Sequence, residues 1–227
     1  MKVKTPSSRR TFLSKIAAGA ATLGIMNIPS SVKAAPKVFE ETSGEDAWFK
    51  TLKGKHRIVF DVPEPNGLSP FAWPRVFLMT NVATGTPEKM NNAVVVLRHA
   101  AIPYAFDDAM WQKYNFGEVF KIDDPITQKA SVRNPFRKPT PGEYKIPGFG
   151  AVSIGINELQ ASGVMFCVCN AAMTVYSAVI AEKMQLDAAA VKNDWTANLL
   201  PGVKIVPSGV WALGRAQENG CAYCFAG

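Results

Sequence analysis

Four cysteines, Cys167, Cys169, Cys221 and Cys224, are the residues of this chain best suited to chemistry, and all lie in its last third. Cys169 ends the apolar run Val164-Met165-Phe166-Cys167-Val168-Cys169 and stands just before a long helical segment. A sulfur so placed lies beside the unpaired N–H groups of a helix N-terminus, which favour thiolate, the nucleophilic form, over thiol. The plainer alternative is a buried, inert cysteine. Cys167, two residues earlier, shares a face with Cys169 if both are extended, with Cα atoms roughly 6.5–7 Å apart, at the edge of disulfide geometry. Core packing is its expected role. Cys221-Ala222-Tyr223-Cys224 has the C-x-x-C spacing of a redox pair. As a strand it would point its sulfurs to opposite faces with Cα atoms about 10 Å apart, too far to bridge, whereas a turn would restore a disulfide or a zinc half-site. A closed zinc site is disfavoured, because Cys167 and Cys169 do not form a second Cys-x₂-Cys.

Other chemistry is thinly represented. His99 reads most simply as a packed imidazole, with general base or metal ligand as its functional alternatives, and Asn170 follows Cys169 directly. Asp107, Asp108, Asp123 and Asp124 form two acidic pairs, of which Asp108 suits a helix cap better than a metal. The chain has no G-x-S-x-G, G-x-G-x-x-G or Walker sequence, so it offers no nucleophile elbow and no phosphate-binding loop.

The elements that must position these residues alternate. Strands are expected at His56–Val62, Asn92–Arg98, Gly163–Cys169, Val203–Val206 and Ala222–Phe225, from β-branched or continuously apolar runs. Helices are expected at Pro74–Val82, with Pro74 in the first turn, and at Asp108–Tyr114, Ile154–Ala161, Ala171–Met184 and Val210–Glu218. Residues 36–54 read as a loose lead-in. Residues 117–150, broken by Pro125, Pro135, Pro139, Pro141 and Pro147, read as an insertion suited to closing over a site or meeting another subunit. The alternation predicts one α/β domain over residues 55–227 with a mostly parallel five-stranded sheet and helices on both faces. In such sheets ligands sit beyond the carboxyl ends of the strands. The residues there are Arg98 and His99, Cys169 and Asn170, and Ser208-Gly209.

The N-terminus carries an address. Arg9-Arg10 precede Thr11-Phe12-Leu13, a weakly apolar run Ile16–Met26 follows, and Val32-Lys33-Ala34 supplies small-residue cleavage chemistry. This order predicts a twin-arginine signal over residues 1–35, export of the folded chain, and a periplasmic location. The charge agrees. Of 25 basic residues six fall in residues 1–35, which hold no acidic ones, so the remainder carries 19 against 18 acidic residues, a net of +1. A nucleic-acid partner is therefore not expected, and the membrane matters only during export.

The stretch from Val164 to Tyr223 resembles the DsrE/DsrF-like (YchN-like) family of small sulfur-relay proteins. It has a strand ending in cysteine, then a helix, then LLPGVKIVPSGVWALGRAQENGCAY, in which Pro201, Gly202, Val203, Pro207, Gly209, Leu213, Gln217 and Gly220 match the closing pattern. VVVLRHAAIPYAFDD stands where the family places its second strand. The resemblance implies a five-stranded α/β sheet, trimeric or hexameric homo-oligomers, and persulfide sulfur on Cys169, with His99 and Asn170 as orienting neighbours. Export, the 117–150 insertion and the terminal C-x-x-C depart from the family pattern. The expected function is a periplasmic sulfur-binding or sulfur-transfer protein exchanging with a donor or acceptor protein or a small sulfur species. The alternatives are a metal- or cofactor-binding protein using the cysteines and His99, or a thiol–disulfide protein using Cys221 and Cys224. No particular cofactor is implied.

Overall fold

A computed structural model describes residues 43–226. The export-signal reading, Arg9 and Arg10 included, lies outside the described residues. The elements, in chain order, are α1 (Ser43–Phe49), β1 (His56–Val62), α2 (Ser69–Ala83), β2 (Asn91–Leu97), α3 (Asp108–Lys113), α4 (Phe116–Phe120), β3 (Lys145–Ile146), β4 (Gly150–Ala151), α5 (Ile156–Ala161), β5 (Met165–Cys169), α6 (Asn170–Met184), α7 (Ala188–Ala197), β6 (Val203–Val206), α8 (Gly209–Glu218) and β7 (Ala222–Phe225).

Five strands form one parallel sheet in the order β6-β5-β2-β1-β7, as the alternation predicts. The central strand β2 explains itself by composition. Ala93 to Leu97 are wholly buried, and each buried valine or leucine contributes about 1.5–3 kcal/mol. Its register sets Val96 beside Asp61 of β1 and beside Cys167 of β5. One face of the sheet carries α2, α5, α6 and α7, which bury Phe71, Leu159, Met173 and Trp195. The other face carries α8 and α1, which bury Leu213, Ala216 and Phe49. Because β6 and β7 are opposite edges, their connection must traverse the sheet, and α8 touches all five of its strands.

Several elements differ from expectation. The lead-in contains α1, and Phe49 and Leu52 seat it on the second face. Helix α2 begins five residues before Pro74, with Pro70 in its first turn and Pro74 in its interior. Pro74 has no N–H to give the Pro70 carbonyl, so the helix forgoes one bond near its start. Helix α7 was not expected at all. Asp187 caps it by accepting the Ala190 N–H at 2.7 Å. Residues 117–150 are not a free lid. The Asn134 amide, 2% exposed, donates to the Tyr104 and Phe106 carbonyls, and Phe136 stacks on Phe71 with centroids 4.2 Å apart. The stretch also holds the end of α4, a turn closed by the Asp123–Ala130 bridge, and most of the β3–β4 hairpin. Asp107, not Asp108, caps α3, while Asp108 accepts the Asn134 N–H and pairs with Arg137.

Candidate functional site

The chain leaves β5 toward one face, through α6, and leaves β6 toward the other, through α8. Neighbouring strands whose helices part in this way open a crevice at their carboxyl ends. A cavity of about 320 Å³ lies there, lined by Arg98, His99, Cys169, Ala171, Ala172, Val175, Tyr176, Ser208, Gly209 and Val210. The Ala171 N–H donates to the Pro207 carbonyl at 3.2 Å and ties the two turns together.

Cys169 ends β5 and caps α6, its Sγ accepting the Ala172 N–H at 3.2 Å. It is 6% exposed, at the wall of the cavity. Cys167 lies elsewhere than expected relative to it. Alternation sends Cys167 into the α8 layer, whereas Cys169, where the strand turns into the helix, packs with the opposite layer. Burial pushes the Cys167 thiol far up, and the nearby Cys169 sulfur adds to this. Cys221 and Cys224 are not brought together. Cys221 precedes β7 and packs in the α8 layer, Cys224 is half-buried against the other, and both are free thiols. Burial raises both thiols, with Arg57 partly opposing it at Cys221.

Arg98 follows β2 and is held by a buried carboxylate. Its Nε meets Asp61 Oδ1 at 2.6 Å and its Nη2 meets Oδ2 at 2.9 Å, and these bonds raise the guanidinium's basicity further. The Tyr223 hydroxyl donates to the same carboxylate at 2.9 Å. Gly209, the first residue of α8, makes room for the arginine stem. A Cβ there would stand 2.5 Å from Arg98 Cβ and 2.8 Å from its Cδ. Ser208 caps α8 by accepting the Trp211 N–H at 3.2 Å.

His99 is not the packed imidazole that was expected. Its side chain is 58% exposed, because the chain turns at this residue with φ +47° rather than running on into the core. Its Nδ1 lies 3.1 Å from Glu64 Oε1 and its Nε2 lies 3.3 Å from the Tyr176 hydroxyl. Asn170 is half-buried and does not line the cavity; its carbonyl accepts the Thr174 hydroxyl. Among the described residues no three His, Cys, Asp or Glu side chains are grouped to hold a metal, so the cysteines and His99 do not converge on one ion.

Strand-end reasoning found Arg98, His99, Cys169 and Ser208-Gly209. It missed Asp61, Glu64, Tyr176 and Tyr223. The one signal for Asp61 was a lone carboxylate in the otherwise apolar Ile58-Val59-Phe60-Asp61-Val62. Compared with known proteins, the chain matches no family model and no curated protein.

Proposed function

We propose that this chain is a periplasmic, twin-arginine-exported sulfur carrier of the DsrE/DsrF-like kind, which takes sulfane sulfur as a persulfide on Cys169. The reading includes a homo-oligomer and exchange with a small sulfur species or a partner protein. The observation that carries it is the placement of the Cys169 sulfur on a strand-end cavity wall, with a backbone N–H donating to it. Cys167, by contrast, is sealed in the core.

The thiolate of Cys169 attacks the terminal sulfur of a polysulfide. One S–S bond forms, one breaks, and the chain departs one sulfur shorter with the bonding pair, so no oxidant is needed. A persulfide anion at this position would meet the Ala172 N–H on one side and the wall formed by Ala171, Val175 and Val210 on the other. The test is mass spectrometry of the protein after polysulfide treatment. The mass of one sulfur atom should be gained, removed by a reductant, mapped to Cys169, and lost in Cys169→Ser. Sulfur found on Cys221 or Cys224 instead would refute the assignment.

A further inference from the structure

Three polar side chains from different elements meet in series, and two of them share the cavity with Cys169. Glu64 lies in the turn after β1, His99 just after β2, and Tyr176 in the second turn of α6. Carboxylate, imidazole and phenol are joined in series at 3.1 and 3.3 Å, and the last two line the cavity. His99 sits at φ +47°, in the left-handed backbone region that turns its side chain out toward the cavity mouth. The turn is pinned on both sides, by Arg98 N–H on the Val62 carbonyl and Ala100 N–H on the Pro63 carbonyl. The Tyr176 ring is fixed independently by Phe120, with centroids 4.9 Å apart, so its hydroxyl is not needed to place it.

The geometry points to Glu64, His99 and Tyr176 as the acid–base arm of this cavity, lending a proton to the thiolate that leaves when an alkyl persulfide hands its outer sulfur to Cys169. The inference rests on the reading of Cys169 as the sulfur acceptor. In the acid form Nδ1–H of the imidazolium donates to Glu64, Nε2–H donates to the Tyr176 oxygen, and the Tyr176 O–H faces the substrate. Cys169 thiolate attacks the outer sulfur of R–S–S–H, the new S–S bond forms, and the old one breaks with its electron pair on R–S⁻. The Tyr176 proton passes to that sulfur as the His99 proton passes to Tyr176, releasing R–S–H. The new persulfide, more acidic than the alkyl thiol, then returns its proton to the arm. Protons and electrons balance without a further reagent. Among the described residues, the other charged or titratable groups at this end include Arg98, the Asp61 that holds it, Tyr223 on the same carboxylate, and Cys169 itself.

Two donors test this on the whole protein. Glutathione persulfide expels an alkyl thiolate that needs a proton, whereas benzenethiosulfonate expels a sulfinate that does not. The readout is the single-turnover rate of sulfur arrival at Cys169, by rapid quench and mass spectrometry, across the pH range in which imidazole titrates. Tyr176→Phe and His99→Gln should slow the persulfide reaction at least about tenfold more than the thiosulfonate reaction, and flatten its pH profile. Glu64→Gln should act in the same direction. Equal slowing with both donors, or wild-type protein that accepts sulfur from the thiosulfonate alone, overturns the arm and leaves Cys169 as acceptor. Wild-type protein that accepts sulfur from neither donor overturns both readings.

Discussion

Arg98→Met separates the contribution of the Asp61 clamp from that of ordinary packing. The Asp61 side chain is 4% exposed and receives two arginine bonds, at 2.6 and 2.9 Å, and one from Tyr223. Methionine replaces much of the stem but none of the charge. Stranding a buried carboxylate in this way costs about 3–5 kcal/mol. The arginine side chain is 27% exposed and the Tyr223 hydroxyl remains, so water and one donor soften the loss. The expected cost is therefore near the lower end, about 3 kcal/mol. In urea denaturation, with a slope of about 2 kcal/mol per molar, the midpoint should fall by roughly 1.5 M. Asp61→Leu combined with Arg98→Met removes both charges and should recover at least about 1.5 kcal/mol relative to the sum of the single changes. An Arg98→Met protein within about 1 kcal/mol of wild type, or strict additivity in the cycle, would refute the argument.

Two other outcomes follow from burial and charge. In the native protein a small alkylating reagent should label Cys169 well before Cys167, which is wholly buried with its thiol pushed up; equal rates would mean that β5 opens freely. Burial of Asp124 would raise its carboxyl, but the N–H groups of Ile126 and Thr127 together with Arg133 outweigh this and hold it below the ordinary range. Its stabilising contribution is thus complete above the ordinary carboxylate pKa of about 3.9 and lost as pH falls through the lower folded value. Asp124→Asn should flatten the dependence of unfolding free energy on pH in that acid window, and an unchanged slope in acid urea titrations would count against it.

The sheet was legible because its strands are local signals. The Ala93-Val94-Val95-Val96-Leu97 run needs no partner to be recognised, and observed and expected strand bounds differ by two residues at most. Helix α7 escaped because Ala188-Ala189-Ala190 carries no apolar period; its anchors are only Val191 and Trp195, although Asp187 was a legible cap. The lead-in helix escaped for a related reason, since Phe49 finds its use only once α8 lies beside it. At the site, one-dimensional reasoning reached the residues at strand ends. It could not reach pairs fixed by strand order. Asp61 matters because β1 lies between β2, which brings Arg98, and β7, which brings Tyr223. Nor does spacing alone say which side chain of α6 faces His99.

The late arrival of β7 has a consequence for synthesis. Tyr223 reaches Asp61 across 162 residues, and β7 covers a flank of β1 that is exposed until then. During translation the nascent chain carries a half-finished sheet whose β1 edge offers unpaired amides and carbonyls to any passing strand. Chaperone occupancy should therefore persist until residues 222–225 have been made. A ribosome stalled before them should release a chain that aggregates along β1, with Arg98 already in place on a carboxylate still short of its tyrosine.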